Sequence, residues 1–196
     1  MDRRAQRGYH PVADVRYQRL DEQFAGVAHT SIEKYRGRRE VMMAQEFAVD
    51  QILQAVQAHL ASRHVVTLAT SYHDEPWAAT AFYVARGLDL YVCQGKRART
   101  LAHMLANPRT GFAVDDRRAD AWLQGVGTAA VVRTAEDGWA REALQRAAPE
   151  FAHHFTNPDY PVLIIRVDEL TFADRSGGVY PRQHLVLADG VWRLAG

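Results

Sequence analysis

"HVVTLATSYHDEPWAATAFYVARGLDLYVCQ", residues 64–94, reads as three short strands in a row. "HVVTLATS" alternates, with Val66, Leu68 and Thr70 on one side and Val65, Thr67 and Ala69 on the other, and its branched residues suit a pleated surface. "YHDEP" is turn chemistry, "WAATAFYVA" is a second strand, and Arg86-Gly87 turns again into "LDLYVCQ", where Leu88, Leu90 and Val92 share a face. Three consecutive strands with short connections predict an antiparallel meander.

Working outward, Ile52, Leu53, Val56 and Leu60 recur at helical spacing between Gln51, Gln54 and Gln57, which predicts an amphipathic helix ending near Ser62. A second helix is expected after Gly95, carrying Leu101, Met104 and Leu105 inward and stopped by Pro108. "TGFAV" and "AWLQGVGTAAVV" read as strands across "DDRRAD". A helix over about 135–148 buries Trp139, Ala143 and Leu144. "PVLIIRV" is apolar enough for a strand buried on both faces, and "HLVLADGVWRL" is a hairpin turning at Asp189-Gly190. The pattern is mainly β with peripheral helices, a closed or nearly closed antiparallel barrel.

Residues 1–45 differ, being dense in charge with a loose stripe of Val15, Leu20, Phe24 and Val27; they read as an amino-terminal appendage, helical or partly disordered, ahead of a domain over 46–196. The 196 residues are 47% hydrophobic and 24% charged, so the chain has the means to bury a substantial core. A net charge of +1 gives no global field for nucleic acid or an anionic membrane. No apolar run reaches a membrane span and the polar start lacks a secretory stretch. Cys93 is the single cysteine, which rules out an internal disulfide and fits a reducing, cytoplasmic setting.

Local charge is therefore what matters. Lys96, Arg97 and Arg99 stand where a strand enters a short helix, and unpaired N–H groups at a helix start favour an anion. Arginine also grips two phosphate oxygens at once. A single terminal phosphate suits this corner better than a pyrophosphate, because no GxGxxG or GxxxxGK[ST] loop occurs. Plain solvation of surface charge is the competing reading.

With "LQGVGTAAVV" following "HVVTLATSYHDEPWAATAFYV" and "LDLYVCQGKRARTLAHMLANPR", the chain over roughly 47–175 resembles the FMN-binding split β-barrel family of pyridoxamine 5′-phosphate oxidase. It is most similar to the bacterial YhbP-like branch, through "RHVVT", "AATAFY", "QGV" and "RVDELTFADR". The resemblance implies a six-stranded antiparallel split barrel, a homodimer with FMN at the subunit interface, and a flavin-dependent oxidoreductase acting on a small molecule. It places the FMN phosphate on Lys96, Arg97 and Arg99, and the flavin ring against Thr80, Ala81, Phe82 and Tyr83, with Cys93 near its edge. Adjacent strand residues point to opposite faces, so only one of Phe82 and Tyr83 is expected at the ring, the other being core. Trp122 stands where the oxidase uses a glutamine toward the cofactor; the indole either covers the flavin or fills the barrel.

The departures are informative. Ala79 and Val84 replace an arginine and a lysine that the oxidase uses for the phosphate, which implies weaker FMN binding. Arg182 and His184 lie near the place of the oxidase's substrate-binding arginine and histidine but at different spacing, which argues against vitamin B6 oxidation. Non-catalytic binding or sensing of FMN or haem, with His64, His73 or His184 serving a haem, and a reductase using the deazaflavin F420 are the rival readings. His153, His154 and Asp159 do not make a metal set, because neighbouring helical histidines diverge by about 100 degrees. Asp174, Arg175 and Ser176 before "GG" read as a turn.

Overall fold

A computed structural model describes residues 48–195, apart from 117 and 119; the appendage expected over 1–45 lies outside the described residues. Helix α1 (Val49–Ala61) is followed by β1 (Val65–Tyr72), β2 (Glu75–Arg86), β3 (Asp89–Cys93), α2 (Arg99–Ala106), β4 (Arg109–Asp116), β5 (Ala121–Val131) and α3 (Glu136–Ala147). A 3-10 turn (Pro149–Phe151), α4 (Ala152–Thr156), β6 (Val162–Asp174), β7 (Val179–Ala188) and β8 (Val191–Leu194) complete it.

The strands form one antiparallel sheet in the order β3-β2-β1-β4-β5-β6-β7-β8, and β3 also pairs with β6, closing six of them into a barrel. One edge of β6 is shared. Its first residues pair with β3, from Cys93↔Val162 to Leu90↔Ile165, whereas its later ones pair with β7, from Glu169↔Val186 to Asp174↔Val179. Asp168 is the extra residue where the β5–β6 register shifts, and its carboxylate accepts from Arg109 at 2.5 Å. β7 and the four-residue β8 extend beyond the barrel, leaving β8 as the outer edge.

The alternation read from β1 holds: Val66, Leu68 and Thr70 are buried, while Val65, Thr67 and Ala69 are exposed. The barrel interior joins them to Tyr83, Leu90, Val92, Phe112, Leu123, Ile165 and Phe172, and α1 seals one side with Ile52, Val56 and Leu60. Buried polar groups there are satisfied. Tyr83 Oη donates to Leu60 O at 2.9 Å, and His59 Nε2 lies 3.0 Å from Val114 O. Burial holds the His59 imidazole below its usual range.

Two helical faces differ from the expectation. Leu105 is 63% exposed; α2 instead buries Thr100, Leu101, His103 and Met104. His103 is tolerated inside because Thr70 and Arg99 satisfy its ring nitrogens at 3.3 and 3.2 Å. In α3 the fully buried residues are Ala140 and Leu144, with Trp139 and Ala143 half-buried at the stripe's edges. β6 also runs seven residues past "PVLIIRV", to Asp174.

Glycine is required where strands crowd. A Cβ on Gly127 would stand 2.4 Å from Arg166 O, a backbone atom that has nowhere to go. Gly127→Ala is expected to lower the unfolding free energy by about 1–3 kcal/mol in urea titrations. Gly138→Ala, in the first turn of α3 with nothing within 4 Å, is expected to raise it by up to about 1 kcal/mol.

Candidate functional site

β2 is twelve residues long and β3 only five. The pairing Tyr83↔Val92 sets Phe82 beside Cys93, so the first half of β2 continues past the end of β3 with the 94–98 turn and α2 beside it. That shortfall creates the cationic corner. Lys96 and Arg97 are exposed on the turn, and α2 begins at Ala98 without a side-chain cap.

The three cations are not equivalent. Arg99 is committed: it donates to Glu75 Oε2 at 2.6 Å and to His103 Nε2, and its guanidinium lies 4.8 Å over the Trp77 ring. Lys96 meets Asp159 at 3.4 Å with both side chains well exposed, a pair of the kind that contributes little in water. Arg97 makes no ion pair among the described residues. Lys96 and Arg97 are thus the groups that can turn to an incoming anion.

The corner is backed by the 155–161 segment. Lys96 N donates to Asp159 O at 2.9 Å, Gln94 N to Pro161 O at 3.1 Å, and the Tyr160 ring closes on Gly95. Arg141 of α3 fixes that segment, donating to Phe155 O at 2.6 Å and Tyr160 O at 2.9 Å while Asp137 holds its Nε. Arg141, Asp159, Glu75, Trp77 and His103 were not read as parts of this corner. They meet it only through tertiary contact, and no local pattern marks them.

Beside the corner lies an open sheet face. The registers Thr80↔Thr67↔Ala113↔Gln124 and Ala78↔Ala69↔Gly111↔Val126 set small side chains in two rows across β2, β1 and β4, bounded on β5 by Gln124 and Val126. Val65, 53% exposed, and Phe82 stand in the next row, with Trp122 half-buried opposite Asp115. Thr80, Phe82 and Trp122 therefore share the face that the basic turn borders. Phe82 also meets Phe151 with ring centroids 4.8 Å apart.

Ala81 and Tyr83 point the other way. Tyr83 is fully buried in the barrel and Ala81 packs against the same core, so neither reaches the open face. Cys93 turns beneath its own chain, its Sγ donating to Tyr160 O at 3.2 Å, and burial pushes the thiol up to about 11. His184 Nε2 lies 3.0 Å from Glu169 Oε1 on the β6–β7 surface; among the described residues no hydrogen bond, ion pair or ring contact joins Arg182 or His184 to the corner. His73 meets Tyr72 and His153 meets His154 in tilted ring contacts, with centroids 3.9 and 4.0 Å apart. No group of three metal-binding side chains occurs among the described residues.

The sequence pattern of the pyridoxamine 5′-phosphate oxidase family matches residues 52–174. The UPF0306 protein of Citrobacter koseri is 28% identical over 139 residues, covering 68% of this chain and 93% of its own length. Among solved structures, a putative pyridoxamine 5′-phosphate oxidase from Listeria innocua shares the fold with a TM-score of 0.54 at 19% identity, over 62% of this chain and 97% of that one. A heme binding protein from Mycobacterium smegmatis shares it at 0.57 and 23%, over 67% of this chain; the chain spans 57% of that protein's length.

The Cys93 environment gives a direct expectation. Below a pH of about 11 its thiol stays protonated, so Ellman's reagent at pH 8 is expected to leave the folded protein unmodified and to react with one thiol on unfolding.

Proposed function

Because the chain belongs to the pyridoxamine 5′-phosphate oxidase family, we propose that it is a cytoplasmic homodimer that binds FMN at the subunit seam and uses it to oxidise or reduce a small organic molecule. The observation that carries this reading is the adjacency of two features: a cationic turn whose Lys96 and Arg97 are exposed and at most weakly paired, and an open sheet face rich in small side chains.

The residues present suit such a cofactor. A phosphate at the α2 start would meet uncapped backbone N–H groups together with Lys96 and Arg97, and its charge would displace Asp159 from Lys96 at little cost. Arg99 would hold the first turn of α2 in place through Glu75, His103 and Trp77 rather than serve as a ligand. The alanine, threonine and glycine rows allow a planar ring or a second backbone to approach closely, and Phe82, Val65 and Trp122 supply apolar surface to exclude water. FMN, when bound, supplies hydride transfer at N5 of its ring system, so the protein's part is binding, orientation and exclusion of solvent. Ala79 and Val84 bring no charge to the phosphate, which favours modest affinity.

A haem carrier without turnover is the second reading. It is favoured by the shared fold with the mycobacterial heme binding protein and by the exposed His153, whose ring meets that of His154, itself stacked on Phe151.

Spectroscopy of the purified full chain with added cofactor separates them. FMN is expected to bind with a structured flavin spectrum that NADH or NADPH bleaches, whereas a sharp Soret band without flavin uptake supports the haem reading. Lys96→Ala combined with Arg97→Ala is expected to weaken FMN at least tenfold, about 1.4 kcal/mol, by fluorescence titration. Unchanged affinity returns the corner to plain solvation. Thr67→Arg, at the centre of the open face, is expected to shift the protein from dimer to monomer in sedimentation and to lose FMN with it.

A further inference from the structure

A second recess lies away from the cationic turn. It is formed by Leu60, Ala61 and His64 where α1 passes into β1, by Val84 and Ala85 near the end of β2, and by the α3 side chains from Trp139 to Ala147. Its volume is about 380 Å³, within the range of sites that take small molecules. The space exists because Ala61, Ala85, Ala143 and Ala147 are small; longer side chains there would fill it. Trp139 stands in its wall, fixed by the Arg86 guanidinium 4.0 Å over the ring and by Tyr91 meeting it edge-on.

Among the described residues the charge in the lining of the recess is cationic, and Glu136 and Glu142 stand outside that lining. Among the described residues its titratable lining groups are His64 and Arg146, with no carboxylate. Arg86 is taken up by Glu136 at 3.3 Å. Among the described residues Arg146 pairs only with Glu142, at 3.9 Å with both side chains about 70% exposed, a contact that a bound anion can replace. An apolar bed with an arginine at its rim held only by a long, exposed ion pair is complementary to an amphipathic anion.

We propose that this recess binds a small organic monocarboxylate with an aromatic or branched hydrocarbon body, its carboxylate on Arg146 and its body against Trp139 and the alanine floor. The site is independent of the cationic turn and of any cofactor there. No residue of the turn lines it, so its occupancy is read separately from flavin binding.

The test is calorimetric titration of the full chain with 2-naphthoate and with its neutral counterpart 2-naphthamide. Naphthoate is expected to bind saturably at one site per chain, and the amide at least tenfold more weakly. Arg146→Gln is expected to weaken naphthoate by about tenfold and leave the amide unchanged. Ala143→Trp, which fills the recess, is expected to abolish both, and Ala147→Leu to weaken both should the tryptophan variant fail to fold by circular dichroism. Equal binding of acid and amide, naphthoate binding that survives a folded filling variant, or no saturable binding by the wild type would each overturn the proposal.

Discussion

The structure depends on how one strand divides its edge. β6 gives its first residues to β3 and its later ones to β7, so the barrel closes through four residue pairs, Leu90↔Ile165 to Cys93↔Val162. A longer β3 would cover the first half of β2. Because it stops at Cys93, that half of β2 is flanked by a turn and a short helix, and cationic side chains stand where backbone pairing would otherwise continue. Closure and corner have one geometric cause.

Much of the barrel was legible in the sequence. The alternation in β1 assigns its faces because one side meets a core and the other does not, and Asp189-Gly190 marks a hairpin because both residues adopt positive φ. The closure was not legible: Leu90 and Ile165 are far apart in sequence, and a buried apolar run carries no record of its neighbours. Leu105 was misassigned because periodicity alone cannot weigh a histidine whose two nitrogens find partners inside.

The corner was legible as charge but not as chemistry. Lys96, Arg97 and Arg99 look alike in sequence, yet tertiary partners make one a brace and leave two available. Glu75 and Trp77 sit at the start of β2 and Asp159 sixty residues beyond the turn, so only the fold distinguishes them. The same limit applied to Tyr83 and Phe82: strict alternation says that they diverge, and the barrel decides which of them is inside.

The outer edge has a consequence for colloidal behaviour. β8 pairs with β7 on one side and, among the described residues, leaves its other side unpaired, with its end residues Val191 and Leu194 exposed, the kind of border onto which a foreign strand can be templated. Its brevity limits that growth, since an incoming segment finds the outward backbone groups of about two alternate residues before the chain ends its pairing. Resistance to edge-to-edge association thus rests on truncation of the border as much as on surface charge.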